Sequence, residues 1–320
     1  MTTGSLAPVI DVSGLQKRYG RVQALAGLSM TVRPGEIFGF LGPNGAGKTT
    51  TVKLLLGLAR PSGGTGTVLG APLGDLRARR RIGYLPELFR YQPWLRAREL
   101  LALHADLIGL PSNGRRAEFD DVLGLVGLAD RADHAVGGFS KGMQQRVGLG
   151  VALLGSPALV ILDEPTSALD PIGRIDVRGI LRTARDRGAA VFLNSHLLGE
   201  VELVCDRVAI VDRGRVVADG PLRSVLGEPE THVRVEALGP DGLQALGVFG
   251  QARLAGSDLL VPNLPDERVP DLVAALVDMG ARVHEVTSAR GSLEERFLAL
   301  IAQNRGQGVD GGDGAAGRPA

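Results

Sequence analysis

Eight consecutive residues, Gly42-Pro43-Asn44-Gly45-Ala46-Gly47-Lys48-Thr49, match G-x-x-x-x-G-K-[ST] letter for letter, between a run that reads as strand and one that reads as helix. Glycines there let the backbone turn tightly around a phosphate and aim N–H groups at it, at a helix N-terminus whose dipole is positive. Lys48 supplies a point charge for the β and γ phosphates, and the hydroxyl of Thr49, which Thr50 follows, is a hard oxygen ligand suited to Mg²⁺. A ligand-free glycine turn is the bland alternative, but an eight-residue match in context is seldom accidental. Lys and Arg number 36, and just four are lysines, at positions 17, 48, 53 and 141. One of the four falls where the motif demands it.

A second acidic feature follows 115 positions after Lys48, where Leu159-Val160-Ile161-Leu162 ends in Asp163-Glu164. Four apolar residues make a buried strand whose end delivers Asp163 to a metal, and the adjacent Glu164 can polarise a water for attack on a γ-phosphate. Alone, such a run would more often be a strand meeting a solvated loop. Paired with the glycine-rich loop it reads as the other half of an ATP and Mg²⁺ site.

With these two motifs in place, residues from roughly Pro8 to Leu222 resemble the ATP-binding subunit of an ABC transporter. Phe139-Ser140-Lys141-Gly142-Met143-Gln144-Gln145-Arg146 is similar to the family signature L-S-G-G-Q followed by Q-Q-R, and Ser140 lies 23 positions before Asp163. In such proteins this segment opens a helix and contacts the γ-phosphate held by the partner subunit, which suits hydrogen-bond donors at a positive helix end. Ser167-Ala168-Leu169-Asp170 resembles the D-loop, His196 in Asn194-Ser195-His196 the switch histidine, and Tyr19 the adenine-stacking aromatic. Two departures stand out. Glu87 occupies the place of a common Gln, which makes it a candidate Mg²⁺ ligand that adds negative charge. Lys141 and Met143 replace the Gly and Gln of the signature, as in a subgroup of export-type ATPases.

The resemblance implies a P-loop NTPase with an antiparallel β subdomain and a helical subdomain. It further implies two copies, or a pair with a similar ATPase, clamped head to tail around two ATP molecules. Hydrolysis would drive a permease on a separate chain, with export as the direction, and would place the protein on the cytoplasmic, inner face of the cell membrane. A soluble ABC ATPase acting on ribosomes, DNA or cofactor assembly is the rival. Against it stand the single P-loop, the lack of heptads between Lys48 and Asp163, and the near-neutral charge. A regulatory module that binds nucleotide without hydrolysing it is a third reading.

These residues need a scaffold. Val9 to Val12, Leu28 to Val32 and Glu36 to Leu41 read as short strands separated by Gly20, Gly27 and Pro34-Gly35, and Lys53 to Ala59 reads as helix. Arg81 to Leu85 returns to strand. The apolar spacing over 94–151 predicts an inserted helical subdomain. Leu159 to Leu162, Ala190 to Leu193 and Val208 to Val211 are wholly apolar and β-branched-rich, as strands of a parallel α/β sheet buried on both faces should be. An ATPase domain over 8–226 is therefore expected. A small accessory α/β domain over 231–303 follows, in the βαββαβ order of a ferredoxin-like fold. The Gly-, Ala- and Asp-rich segment 304–320 has almost nothing to bury and is expected to be disordered.

Composition bounds the rest. At 320 residues, two modest domains are expected. Lys and Arg at 36 against Asp and Glu at 35 give a net charge of +1, which offers no footprint for nucleic acid or a polybasic membrane anchor. The lone Cys205 excludes an intrachain disulfide and suits a reducing compartment. Residues 1–8 carry no secretory leader pattern, and the longest apolar stretch, Val147 to Leu162, is broken at Ser156-Pro157, so no direct membrane span is expected. Leu88-Phe89-Arg90-Tyr91-Gln92-Pro93-Trp94 concentrates aromatics in a chain with 4% of them and reads as a partly exposed, partner-facing patch. Leu293 to Leu298 resembles the C-terminal end of drug-export ATPases.

Overall fold

The computed structural model describes residues 7–167, 169–238, 240–289 and 291–306. A hairpin comes first, β1 (Ile10–Tyr19) and β2 (Val22–Val32), longer than the short runs expected there. Gly27 does not separate one strand from another. It sits inside β2 at φ +106°, the extra residue where Leu15 pairs Leu28 but Gln16 pairs Ala26, and so forms a bulge. β3 (Ile37–Leu41) feeds α1 (Lys48–Leu55), which starts ahead of the expected Lys53 because Gly47 is its N-cap. β4 (Gly63–Val68), rich in Gly and Thr without apolar alternation, and the two-residue β5 (Ala71–Pro72) were invisible in the sequence. They complete an antiparallel sheet of order β2-β1-β4-β5.

After the short α2 (Leu76–Arg79), β6 (Ile82–Leu85) leads into the helical insertion. The insertion comprises α3 (Ala97–Ile108), α4 (Arg115–Leu125) and α5 (Lys141–Leu153), so it runs slightly past 151. Then come β7 (Leu159–Asp163), α6 (Pro171–Asp186), β8 (Ala190–Asn194), α7 (Leu198–Val204), β9 (Arg207–Asp212), β10 (Arg215–Pro221) and α8 (Leu222–Leu226). The second sheet has the order β10-β9-β3-β8-β7-β6, parallel except for the edge strand β10. Every residue of β3, β7 and β8 is buried, which is why those strands read as unbroken apolar runs. Phe192 lies between Phe38 and Phe40, with ring centroids 5.9 and 5.1 Å away, in a core shared with Leu15, Leu28 and Val52. A phenylalanine so enclosed is worth about 3–5 kcal/mol against truncation to Ala.

The chain divides into two compact units, 1–222 with 300–320, and 223–299. The expected borders at 226 and 303 are therefore displaced at both ends. The second unit carries β11 (Glu230–Glu236), α9 (Pro240–Ala245), β12 (Arg253–Ala255), β13 (Asp258–Pro262), α10 (Val269–Asp278) and β14 (Arg282–Ala289). Its antiparallel sheet of order β12-β13-β11-β14 is the split βαβ arrangement expected. Val233, Val235, Leu259, Val261, Leu272 and Leu276 form its core. The last helix, α11 (Leu293–Gly306), continues through 304–306, where disorder was expected, and the remainder of that segment, 307–320, lies outside the described residues. Among the described residues no helix is long and apolar enough to cross a membrane.

Candidate functional site

The P-loop connects β3 to α1 at the edge of the sheet where the parallel strands end. Gly45 and Gly47 hold φ of +82° and +106°, which side-chain-bearing residues rarely adopt. Two backbone contacts fix the loop from behind: Gly214 N donates to Ala46 O at 2.9 Å, and Ala26 N donates to Gly214 O at 2.9 Å. A Cβ on Gly42 would stand 2.4 Å from Val211 O, so this glycine is set by packing. Lys48 Nζ donates to Gly42 O at 2.6 Å and Pro43 O at 3.3 Å, folding over the loop it belongs to. Asn44 and Thr49 are exposed, and Pro43 and Thr50 are half-buried.

Because β8 lies between β3 and β7, the end of β7 faces the P-loop across one strand. Asp163 there is 6% exposed and accepts a hydrogen bond from Asn194 Nδ2. Burial pushes its carboxyl up, with Glu87 and Glu164 adding to the rise, while the Asn194 bond and Lys48 oppose it. Burial lowers the Lys48 ammonium, countered by Glu164, Asp163 and Glu87. Glu164 is 7% exposed, at φ +53°, with Oε1 2.8 Å from His196 Nδ1 and Oε2 3.3 Å from Ser195 Oγ. Lys48, Asp163, Glu164, His196 and Glu87 are thus brought into one electrostatic neighbourhood, although Glu87 itself lies on an exposed loop.

Ser140 is the N-cap of α5, its Oγ accepting from Met143 N at 3.2 Å, and Lys141 beside it is exposed. Gly142 and Gln144 follow on the first turn, where Gln144 Nε2 donates to Phe139 O. Ser167 Oγ donates to Glu164 O at 3.1 Å, and Asp170 caps α6 by accepting from Gly173 N at 2.8 Å; Ala168 between them lies outside the described residues. Tyr19, 46% exposed, ends β1 with Lys17 Nζ 4.9 Å from its ring centroid. The aromatic patch splits: Leu88 and Trp94 are exposed, whereas Phe89 packs on Tyr91 and Tyr91 on the edge of His104. Sequence reasoning gave no role to Asn194, Ser195 or Gln145, whose buried amide donates to Pro165 O at 2.9 Å. Their signal was a buried polar residue at a strand or helix end beside a motif.

The donor set fits Mg²⁺. Thr49, Asp163 and Glu87 all offer hard oxygens, and three carboxylates act on the single Lys48 ammonium, an excess of negative charge that favours a cation. Among the described residues no three carboxylate, His or Cys side chains converge as a self-sufficient metal cage, which is ordinary for an ion held largely by phosphates and water.

A glycine-rich cradle after a buried parallel strand, its lysine, and an acidic pair two strands away define a P-loop nucleotide-binding fold. The ABC transporter family profile matches residues 25–167. An ABC transporter ATP-binding protein of Nostoc sp. (strain PCC 7120 / SAG 25.82 / UTEX 2576) is 41% identical over 312 residues, 94% of this chain and 92% of its own. The Nod factor export ATP-binding protein I of Burkholderia orbicola (strain AU 1054) is 38% identical over 239 residues, 74% of this chain and 78% of its own. A solved ATP binding subunit of an ABC transporter superimposes with a TM-score of 0.63 at 32% identity, covering 68% of this chain and 91% of that one. The chain belongs to the ABC transporter ATP-binding proteins and is an ATP-binding subunit of that kind.

Proposed function

We propose that this subunit hydrolyses ATP between two copies of itself, or between itself and a similar ATPase, and that the cycle drives export through a permease on a separate chain. In this reading ATP sits on Gly42 to Thr50 with its adenine on Tyr19. Glu164 is the general base and His196 engages the γ-phosphate. Thr49, Asp163 and Glu87 would hold Mg²⁺, which supplies charge neutralisation at the phosphates when bound. The observation that carries the reading is the Glu164 carboxylate, buried beside Asp163 and in contact with His196 at 2.8 Å.

The exposed start of α5, with Ser140 and Lys141 facing outward, supports a composite site completed by a second copy. Ser167 and Asp170 lie on the loop that follows Glu164, suited to relaying between the two sites. The relative named for Nod factor export, and the Ser140-Lys141-Gly142-Met143 signature, support export. Exposed Leu88 (88%) and Trp94 (72%), with a pocket of about 270 Å³ lined by Phe89, Tyr91, Pro93 and Gln144, suit a permease contact that would hold the protein at the inner membrane face.

The decisive experiment uses Glu164→Gln with Mg-ATP. Removing the base should leave ATP bound and abolish phosphate release. The trapped protein should double its mass by light scattering. Continued turnover would overturn the base, and a monomer at saturating ATP would overturn the paired arrangement.

A further inference from the structure

The end of β8 sets two buried polar side chains against the acidic pair. Asn194 is 2% exposed and Ser195 1%. Asp163 and Asn194 are paired in register across the parallel strands β7 and β8, and Asn194 Nδ2 donates to Asp163 Oδ1. One residue further on, Glu164 N donates to Asn194 O at 2.8 Å. That bond helps hold Glu164 in its left-handed conformation at φ +53°, which a residue with a side chain keeps only where the surroundings impose it.

Among the described residues, Ser195 Oγ has two hydrogen-bond partners. Leu197 N lies 3.1 Å away and Glu164 Oε2 lies 3.3 Å away. An amide N–H can only donate, so the serine oxygen accepts from Leu197, and its single proton is left for the carboxylate. The other carboxylate oxygen, Oε1, meets His196 Nδ1. His196 is 59% exposed at its side chain and free to turn, whereas Ser195 is enclosed and cannot.

We propose that Ser195 is a positioning residue for Glu164. Its hydroxyl, oriented by the Leu197 N–H, anchors Oε2, so the carboxylate keeps its direction when His196 turns away toward nucleotide. The assignment rests on the reading of Glu164 as the base.

The test compares Ser195→Ala, Ser195→Cys and Ser195→Thr in the full-length protein by steady-state ATPase kinetics. ATP affinity from a fluorescent nucleotide and the melting temperature confirm that each variant is folded. Loss of one hydrogen bond to a charged group should lower kcat roughly tenfold in Ser195→Ala, with KM within about twofold. Thr, which keeps the hydroxyl, should restore most of kcat, and Cys, a weaker donor, should fall between. Wild-type kcat in Ser195→Ala would overturn the proposal. So would a loss that tracks KM or melting temperature, or one that fails to follow donor strength across the three variants. Glu164→Gln separates the two layers. If it turns over normally, the base reading falls and this assignment with it; if it is inactive while Ser195→Ala is normal, the Ser195 assignment alone falls.

Discussion

Gly45 and Gly47 both hold positive φ in the P-loop, yet alanine should be tolerated at one far better than at the other. An added Cβ at Gly45 meets nothing within 4 Å. At Gly47 it would stand 2.6 Å from Leu25 Cδ2 and 2.7 Å from Ala24 O. Forcing alanine into a left-handed backbone costs about 1–2 kcal/mol at either position. The Leu25 methyl can swing aside, but the Ala24 carbonyl belongs to β2 and moves only with the hairpin, which adds about 1–3 kcal/mol of overpacking. The expected losses are therefore about 1–2 kcal/mol for Gly45→Ala and about 2–5 kcal/mol for Gly47→Ala, without nucleotide. Two compact units make whole-chain unfolding a poor two-state measurement. The single tryptophan, Trp94, is 72% exposed and a weak reporter. Hydrogen exchange at the α1 amides, Thr51 to Leu55, reads the first unit directly. Equal protection in the two variants would show that the loop relaxes freely around the carbonyl and would refute the reasoning.

Two further outcomes concern buried carboxylates. Burial raises the Glu36 carboxyl against the Arg33 N–H at 2.6 Å and Arg207 at 3.3 Å. A folded pKa above the unfolded one means that the unfolded chain loses its proton first, so stability falls as pH rises from the ordinary carboxylate range to the raised value. Glu36→Gln should flatten that portion of the first unit's stability-against-pH curve, followed in urea by hydrogen exchange at the β3 amides, without abolishing it, since burial also raises Asp163 and Asp219; an unchanged slope would count against the assignment. Asn304 Nδ2 donates to Asp212 Oδ2 at 2.9 Å, and Asp212 is 3% exposed. Asn304→Ala removes that donor from a buried carboxylate and should cost the first unit about 1–3 kcal/mol, read by hydrogen exchange at the β9 amides; wild-type protection would show that water replaces the amide.

The amino-acid sequence by itself determined the phosphate loop, because Gly42 to Thr49 are consecutive and the turn they make is set by glycine backbone freedom and a helix start. It also determined β3 and the Leu159 to Leu162 and Ala190 to Leu193 runs of β7 and β8, since strand residues buried on both faces read as unbroken apolar runs. The βαββαβ order of the second unit was legible for the same local reason, as periodicity changes element by element.

Only the tertiary structure decided which polar groups meet. Ser195 and Glu164 are 31 positions apart, Gln145 and Pro165 are 20, and Asn304 and Asp212 are 92. Nothing local marks those partners, which are set by the strand order β3-β8-β7, by where α5 begins and by where α11 ends. The Gly- and Thr-rich β4 was hidden too, because its place is dictated by hydrogen bonding to β1 and not by its own side chains. Residues 304–306, expected to be disordered, close α11 instead, because composition counts what a segment can bury on its own, whereas one amide donated to a buried carboxylate depends on a partner elsewhere in the fold.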